Sequence, residues 1–263
     1  MKADYKNWVP KGMVVGYFAG FCFAFTLALT FGAIALAFGA VWQIALFAVF
    51  TVLAVLLPFI SAYMLAWHRA FDYNGKRKLS KQIVEGTAER VELKEGGICL
   101  DVGCGSGALT NAVAKRNPKA KVVGCDRWGK DYASFSMNLC YKNAEAEGAT
   151  NVSFEKGDAT ALPYADEAFD AVCSNYVYHN IPTRDRQAIL LETFRVLKKG
   201  GTFAIHDLFT KQKYGDMTAF VQKLKELGFE KVELIDTTKG MFMSPKEAKW
   251  LALSGSALLV GKK

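Results

Sequence analysis

The sequence predicts an α/β protein in which a doubly wound, Rossmann-like sheet follows a pair of transmembrane helices. Three observations support this fold class. The stretch from Gly12 to Trp67 contains no Asp, Glu, Lys or Arg. After the break at Glu95–Gly97, short apolar runs alternate with segments of helical period. The first of those runs leads into a glycine-rich turn over Gly103–Gly107, which is typical of the strand-to-helix turns in such sheets.

The uncharged stretch is too long for one crossing of a bilayer but suits two, because each crossing needs about 20 residues. We place the crossings at Val14–Ala37 and Ile44–Met64 within an N-terminal region of residues 1–69, with a turn over residues 38–43 between them. Two other interpretations are a cleaved signal peptide, whose apolar run is only about 7–15 residues long, and a buried helical hairpin of a soluble domain.

Basic residues flank both crossings on one side, whereas the connecting turn carries no charge. The positive-inside rule therefore predicts a multi-pass membrane protein with two helices, whose N-terminus and C-terminal domain are both cytoplasmic. The flanking charges are Lys2, Lys6 and Lys11 before the first crossing and Arg69, Lys76, Arg77 and Lys78 after the second. The run at 76–78 either binds anionic lipid headgroups or only sets the topology, and the residues favour neither.

The remaining charge and the cysteines narrow the classes of partner. Removing the +3 of residues 1–69 from the net charge of +8 leaves +5, without a basic stripe interleaved with aromatic residues. We therefore expect no nucleic-acid partner. The six cysteines form no Cys-x-x-Cys pair and the chain has three histidines, so no metal site is predicted. The cysteines are expected to be small buried hydrophobes in a reducing compartment.

Residues 70–95 are predicted to form a basic linker and a lead-in helix with Ser80 as its N-cap. Strands and helices then alternate over residues 96–263, which implies a largely parallel sheet with its ligand site beyond the carboxyl ends of the strands. The predicted strands are Ile98–Val102, Lys121–Asp126, Val152–Lys156, Phe169–Ser174, Thr202–Leu208, Val232–Thr237 and Ala257–Gly261. The predicted helices are Ala108–Arg116, Tyr132–Glu147, Arg184–Leu197 and Met217–Leu227.

The turn after the first strand reads Leu100-Asp101-Val102-Gly103-Cys104-Gly105-Ser106-Gly107. Alternate glycines allow a tight turn and let a ligand lie against bare backbone at the start of the next helix. Gly103, Gly105 and Ala108 also satisfy the dinucleotide fingerprint, and Asp126 lies where a ribose-binding acid is expected. On these residues alone, an NAD(P)-dependent oxidoreductase is a serious alternative to any other nucleotide-binding enzyme.

The same residues resemble the class I methyltransferases that use S-adenosylmethionine. Asp101 precedes the glycines, where the resemblance implies a carboxylate beside the cationic methionine portion of the cofactor; a pyrophosphate would be repelled there. Asp126 matches the acid that accepts both ribose hydroxyls, and Gly157-Asp158-Ala159 matches the loop that borders the adenine. The cofactor-binding residues predicted on this basis are Asp101, Gly103, Gly105, Gly107, Asp126, Arg127, Trp128, Asp158, Ala159, Ser174 and Asn175.

The resemblance spans residues 80–263 and is strongest to the quinone-biosynthetic branch of small-molecule methyltransferases. Phe169-Asp170-Ala171-Val172 is similar to the family's fourth strand, and the segment 195–201 is similar to the turn into its fifth. The resemblance implies a seven-stranded methyltransferase sheet with an antiparallel last hairpin. The apolar N-terminal region lies outside the family pattern.

Candidate catalytic residues follow the fourth and fifth strands. His179 and His206 are candidate bases for an acceptor that must lose a proton, and Tyr176 is a candidate for orienting the acceptor or shielding the sulfonium. Each histidine has an alternative role as a packed or hydrogen-bonded structural residue. Asn175 is not followed by the Pro-Pro-Tyr/Phe of many nucleic-acid and protein N-methyltransferases, which weakens those substrate classes.

The apolar N-terminal region suggests an acceptor that partitions into a bilayer, so the predicted partners are a small-molecule or lipid-like acceptor and a membrane. The segment from Lys239 to Trp250, with Met241, Phe242 and Met243, is either an apolar flap near the membrane or a loop packed on the sheet edge. A non-catalytic, cofactor-binding scaffold at the membrane is the third interpretation. The sequence does not predict the oligomeric state.

Overall fold

A computed structural model of the chain describes residues 2–129 and 134–263. It divides into two compact units, one of residues 6–80 and one that joins residues 2–5 to 81–263. The boundaries between these units lie at other positions than the predicted ones at residues 69 and 95, and residues 2–5 belong to the second unit.

The first unit is a hairpin of two long apolar helices, α1 (Lys11–Phe38) and α2 (Val41–Phe71). By length and composition, both are able to cross a membrane. Both helices extend beyond the predicted crossings, and the predicted turn at 38–43 shrinks to Gly39 and Ala40. Gly39 makes this short turn possible, because it adopts φ +67° and its N–H donates to the Ala35 carbonyl at 2.8 Å.

Within the hairpin, small residues face aromatic and aliphatic side chains of the other helix. A Cβ on Gly32 would lie 3.0 Å from the Phe47 ring, and one on Gly20 would lie 3.6 Å from Leu57. The outward faces are apolar instead of polar; Leu36 is 92% exposed and Phe59 is 72% exposed. A helix pair of a soluble protein buries such side chains, whereas small contact residues and an apolar exterior are typical of helices in hydrocarbon.

The second unit is built on a seven-stranded sheet of order β3-β2-β1-β4-β5-β7-β6, counted over the described residues. All neighbouring pairs are parallel except those of β7 with β5 and β6. The predicted fold class and antiparallel last hairpin are therefore confirmed. The strands are β1 (Ile98–Val102), β2 (Lys121–Asp126), β3 (Val152–Lys156), β4 (Phe169–Asn175), β5 (Leu197–Leu208), β6 (Val232–Asp236) and β7 (Ser256–Lys262).

The helices of this unit agree with the prediction in the main and differ at several ends. They are α3 (Leu79–Ala88), α4 (Ala108–Arg116), α5 (Met137–Glu147), α6 (Arg186–Arg195), α7 (Lys211–Tyr214), α8 (Met217–Glu226) and α9 (Pro245–Trp250). The helix predicted from Tyr132 begins at Met137 with Ser136 as N-cap, and residues 130–133 lie outside the described part of the chain. Ser80 is not an N-cap, because its hydroxyl donates to the Phe71 carbonyl at 2.7 Å.

The sheet brings the carboxyl ends of β1 to β6 to one edge, since only β7 runs in the opposite direction. Near-continuous apolar runs bury the central strands on both faces, as in β1, where Cys99, Leu100 and Val102 are at most 1% exposed. At the edge, the register places Asn175 of β4 beside His206 of β5. The polar residues that follow these strands therefore share one rim of the domain.

Candidate active site

The glycine-rich turn joins β1 to α4 in a left-handed backbone conformation that residues with a Cβ rarely adopt. Gly103, Gly105 and Gly107 adopt φ values of +74°, +57° and +81°. A Cβ on Gly103 would approach the Val177 side chain to 2.4 Å. The N–H groups of Gly103 and Cys104 both donate to the Cys125 carbonyl, at 2.7 and 3.1 Å, which fixes the turn beside the end of β2. The turn is thus a bare-backbone surface at a helix N-terminus, as an elongated ligand requires.

Asp101 is the buried acid beneath this turn, and it is 1% exposed. Its Oδ2 accepts a hydrogen bond from Thr110 Oγ1 at 2.6 Å, whereas Oδ1 has no partner within residues 2–129 and 134–263. Desolvation by burial raises the pKa of Asp101 from 3.8 to about 7. An unpaired buried carboxylate oxygen is costly unless a donor reaches it. The ammonium group of S-adenosylmethionine is such a donor, so the residues fit the predicted cofactor here.

Asp126 at the end of β2 is held by backbone donors on both carboxylate oxygens. Gly105 N–H donates to Oδ2 at 2.9 Å, and Trp128 N–H donates to Oδ1 at 2.7 Å. The Trp128 ring nitrogen in turn donates to the Gly105 carbonyl at 2.9 Å. Because each carboxylate oxygen accepts more than one hydrogen bond, Asp126 keeps the capacity to accept from a ribose diol.

Asp158 lies beyond the end of β3 and is stabilised within its own loop. Its Oδ1 accepts from the backbone N–H and the hydroxyl of Thr160, at 2.9 and 2.7 Å, and these bonds lower the pKa of the carboxyl. The Arg127 guanidinium lies 3.7 Å from Oδ2. The structure therefore brings together Arg127, after β2, and Asp158, after β3, both of which were predicted to bind the cofactor. Ala159 lies in the same loop as Asp158.

Two residues predicted to bind the cofactor contact the neighbouring strands, and only Ser174 is fully buried. Ser174 is fully buried, and its hydroxyl donates to the Val102 carbonyl at 2.7 Å, which links β4 to β1. Asn175 Oδ1 lies 3.1 Å from His206 Nδ1. These side chains link β4 to β1 and β5, and a role of Asn175 in binding the cofactor stays a prediction.

His206 is enclosed on both ring nitrogens. Nδ1 contacts Asn175, and Nε2 lies 3.0 Å from Thr237 Oγ1. The ring packs edge-on against Tyr176 and Phe242, with centroids 4.7 and 5.5 Å away. Burial lowers the pKa of His206 to about 3, so the ring is neutral at physiological pH. A base needs a ring nitrogen that faces the acceptor, and His206 offers none; the predicted catalytic role gives way to a structural one.

His179 has the opposite environment, because only one of its ring nitrogens is engaged. Nδ1 lies 2.5 Å from Asp207 Oδ1, and the backbone N–H of His179 donates to Asp207 Oδ2 at 3.2 Å. Asp207 is fully buried and the His179 side chain is 14% exposed. A carboxylate only accepts, so Nδ1 carries the proton and Nε2 is the acceptor; no other described residue supplies a partner for Nε2. The pair is thus an imidazole held in one tautomer by a buried carboxylate, which is the arrangement that a general base requires.

Tyr176 lies next to both histidines but its hydroxyl is used internally. The residue adopts φ +54°, a strained conformation for a side chain of this size. Its hydroxyl lies 2.5 Å from Ser256 Oγ, and burial raises the pKa of the phenol. The ring forms a T-shaped contact with His179 at 5.9 Å. The ring of Tyr176 therefore lies against both histidines, and its role in orienting the acceptor stays a prediction.

Arg186, which the sequence reading missed, fixes the loop that carries His179. Its guanidinium donates to a series of backbone carbonyls on both sides of this loop, and Lys213 Nζ also donates to the His179 carbonyl at 3.3 Å. The acceptors of Arg186 are Tyr178, Thr183, Lys213, His179 and Ile181, at 3.0–3.5 Å. A planar group with five donors suits such a task better than an ammonium.

Asp207 and Thr110 were also missed as site residues. Asp207 follows His206 near the end of β5, and His179 follows β4 by four residues. Because β4 and β5 are parallel neighbours, the proximity of Asp207 to His179 could have been predicted from the sequence. Nothing in the sequence distinguishes Thr110 from other helix residues. No group of three or more His, Cys, Asp or Glu in the part of the chain that the structure describes could hold a metal ion.

The segment between β6 and β7 divides into buried and exposed halves. Phe242 and Met243 are 9% and 3% exposed, whereas Met241 and Trp250 are 39% and 44% exposed. Phe242 packs against His206, so the segment closes the acceptor side of the rim. It is thus both a packed loop and the carrier of two exposed apolar side chains.

Residues 93–252 match the family described as Methyltransferase domain, which is more than half of the chain. The chain therefore belongs to the methyltransferase domain family.

Among curated relatives, the demethylmenaquinone methyltransferase of Lactobacillus johnsonii is 34% identical over 118 residues, which are 44% of this chain and 46% of the relative. The sterol 24-C-methyltransferase of Aspergillus fumigatus is 30% identical, over 59% of this chain and 40% of the relative. The ubiquinone/menaquinone biosynthesis C-methyltransferase of Desulfotalea psychrophila is 29% identical, over 62% of this chain and 58% of the relative. The chain thus spans about half the length of the curated relatives it matches.

A solved structure supports the fold. The crystal structure of the [4+2]-cyclase SpnF superposes with a TM-score of 0.55 and 21% identity, and it covers 73% of this chain and 85% of that one. At this identity the likeness concerns the fold alone. The fold is therefore shared with a solved protein, and the chemistry has to be argued from the residues of the site.

Proposed function

We propose that this chain is a membrane-anchored methyltransferase that uses S-adenosylmethionine to methylate a small lipophilic acceptor. The observation that carries the proposal is the buried Asp101 carboxylate, whose Oδ1 lacks a partner beneath a bare-backbone turn in a chain of the methyltransferase domain family. Asp101 would hold the ammonium of the cofactor, Asp126 its ribose hydroxyls and Asp158 its adenine amino group. Three acids at successive strand ends then bind three parts of one molecule.

When bound, S-adenosylmethionine supplies an electrophilic methyl group on a sulfonium centre. His179 would accept at Nε2 the proton that the acceptor loses on methylation. Asp207 stabilises the imidazolium that results. The ring of Tyr176 holds the acceptor in line and excludes water. A base of this kind suits an acceptor that loses a proton, such as a hydroxyl or an acidic carbon.

The lipophilic character of the acceptor is supported by two independent features. The relatives that match this chain are named for demethylmenaquinone, for ubiquinone and menaquinone biosynthesis, and for a sterol. In addition, α1 and α2 have the length and composition of membrane spans. An acceptor dissolved in the same bilayer as the enzyme is concentrated near the site by partition.

The proposed topology has two membrane-spanning helices, with the N-terminus and the catalytic unit on the cytoplasmic side. It is supported by the basic residues that flank the helices and by the uncharged turn between them. Alkaline carbonate extraction of membranes from expressing cells tests the anchoring. We expect the full chain to stay in the pellet, and its release would contradict an integral membrane protein.

The oxidoreductase alternative is disfavoured by Asp101, because this carboxylate would repel the pyrophosphate of a dinucleotide at the turn. Equilibrium binding of S-adenosylhomocysteine and of NADH to the full chain in detergent or nanodiscs separates the two. We expect binding of the first ligand only. Tight NADH binding without S-adenosylhomocysteine binding would end the methyltransferase proposal.

The acceptor class is tested with methyl-labelled cofactor and a panel of reduced demethylmenaquinone, a sterol, phospholipid vesicles and a water-soluble phenol. We expect label in a lipophilic acceptor of the panel. Cofactor binding without transfer to any lipophilic acceptor would favour the scaffold interpretation, whereas transfer to the soluble phenol alone would overturn the lipophilic class.

A further inference from the structure

Residues 2–5 pack onto the catalytic unit at the cofactor turn, and we name them the N-terminal strap. The Asp4 N–H donates to Asn143 Oδ1 at 2.7 Å, and Asn143 Nδ2 donates back to the Asp4 carbonyl at 3.0 Å. The same Asn143 nitrogen donates to the carbonyl of Ser106, a residue of the glycine-rich turn, at 2.9 Å. One buried amide of α5 therefore fastens the strap and the turn together.

Tyr5 makes the second attachment. The Ser106 hydroxyl donates to the Tyr5 carbonyl at 3.0 Å, and Asn111 Nδ2 of α4 donates to the Tyr5 hydroxyl at 3.2 Å. Tyr5 is 7% exposed, and Asn111 and Asn143 are 0% and 2% exposed. Burial raises the pKa of Tyr5, so the hydroxyl stays protonated. These bonds lie away from water, where breaking one leaves a buried polar group unpaired.

We propose that the N-terminal strap is part of the cofactor site and holds the glycine-rich turn in its binding conformation; this inference rests on the proposed function. The turn contains three glycines at positive φ, and glycine loses more conformational freedom on ordering than other residues. The hydrogen bond between Ser106 and the strap helps to order the turn before the ligand binds. The ligand then pays less of the entropy cost of ordering, which is what preorganisation of a site means. By linkage, the ligand must stabilise the docked strap by the same factor.

The strap has a role that no motif of the turn reveals, because Tyr5 and Ser106 are about a hundred residues apart in the chain. Only residues 6–10 separate the strap from α1. An N-terminal truncation that spares α1 would therefore remove part of the cofactor site without touching any of the predicted cofactor-binding residues.

Two variants of the full chain in detergent test the inference through S-adenosylhomocysteine affinity. Tyr5→Phe removes only the hydroxyl, and Tyr5→Ala removes the ring as well. We expect the Kd to rise about 2- to 10-fold in Tyr5→Phe, the loss of one buried hydrogen bond, and further in Tyr5→Ala. Thr87→Val is the matched control, since its fully buried hydroxyl donates to the Ile83 carbonyl of its own helix at 2.8 Å; we expect its Kd to match that of the wild type.

Asn143→Leu and Asn117→Leu form a second matched pair. The Asn117 amide accepts from the N–H of Leu93 and donates to the carbonyl of Val91, much as the Asn143 amide accepts from and donates to the backbone of Asp4. Both variants should lose thermal stability, but only Asn143→Leu should weaken S-adenosylhomocysteine binding. If Tyr5→Phe and Asn143→Leu bind with the wild-type Kd, the strap is merely structural and the inference is overturned.

Hydrogen exchange gives the reciprocal readout. In the wild-type protein, saturating S-adenosylhomocysteine should slow exchange in peptides that cover the strap as well as in those that cover the turn. Protection of the turn without any protection of the strap would overturn the coupling. If the wild type does not bind the ligand at all, the proposed function fails instead, so the two failures are distinct.

Discussion

The two halves of the sheet edge treat their polar groups differently. Beyond β1 to β3, the acids keep acceptor capacity that the protein does not use; Asp101 Oδ1 is the clearest case. Beyond β4 and β5, polar side chains are paired with one another, as in the contacts of His206 with Asn175 and Thr237. In the proposed function this half, which we call the cofactor half, binds a ligand that supplies the missing donors. The other half, which we call the acceptor half, is more fully paired, and we propose His179 Nε2 as its reactive atom.

The strongest test of this comparison replaces each of the two histidines separately. His179→Gln should lower kcat by about 10²- to 10⁴-fold, the usual contribution of a general base, and leave S-adenosylhomocysteine affinity unchanged. His206→Gln should lower the midpoint of thermal unfolding and change kcat far less, because its ring is enclosed. Steady-state kinetics with the acceptor found in the screen check this. A larger kcat loss in His206→Gln would reverse our assignment.

The cofactor half is tested most strongly at Asp126. Asp126→Ala should weaken S-adenosylhomocysteine binding by about 100-fold or more, since two charge-assisted hydrogen bonds to the ribose would be lost. Isothermal calorimetry on the full chain measures the change, and retention in the membrane pellet is the control for folding and insertion. An unchanged Kd would remove Asp126 from the site.

Asp101 gives a pH-dependent signature. Its folded pKa is raised from 3.8 to about 7, so the stability this group contributes is complete below about pH 4 and is lost as pH rises through 7. Asp101→Asn resembles the neutral acid, and we expect the ligand-free variant to unfold at a higher temperature than the wild type at pH 8 but not at pH 4. The same variant should bind S-adenosylhomocysteine more weakly.

Thermal unfolding followed from pH 4 to pH 8 measures this difference without the ligand. If the midpoints of thermal unfolding of the wild type and Asp101→Asn change with pH in the same way, the Asp101 carboxylate is not destabilised by burial. Saturating S-adenosylhomocysteine should stabilise the wild type more than the variant, because its ammonium group forms an ion pair with a carboxylate and only a weaker hydrogen bond with an amide oxygen.

Arg186 is expected to give the smallest effect. Arg186→Lys removes most of the bonds to the carbonyls around His179, so kcat should fall a few-fold through misplacement of the base, with unchanged cofactor affinity. Arg195→Lys is the control, because Arg195 also donates to two carbonyls, those of Leu162 and Tyr164, at the opposite end of α6. Equal kcat losses in the two variants would show that the loss does not come from the position of His179.

Much of the fold was readable because local patterns decided it. The bounds of β1, β2, β3 and α4 agree with the predicted ranges, since each is a short apolar run or amphipathic segment bounded by glycine or polar residues. Prediction was less accurate where a long-range contact sets an end. β5 begins at Leu197 because Leu197 pairs with Phe169, and Ser80 serves Phe71 instead of capping a helix.

By itself, the sequence determined the apolar hairpin, the α/β class, the glycine-rich turn and the acids at the strand ends, because uncharged length, periodicity and glycine spacing are properties of local chain. Only the tertiary structure decided which histidine keeps an open nitrogen, that Asp207 fixes it, that Ser174 faces the sheet, and that residues 2–5 reach the cofactor turn. These outcomes depend on burial and on hydrogen bonds between distant residues, and neither is encoded in the neighbourhood of the residue concerned.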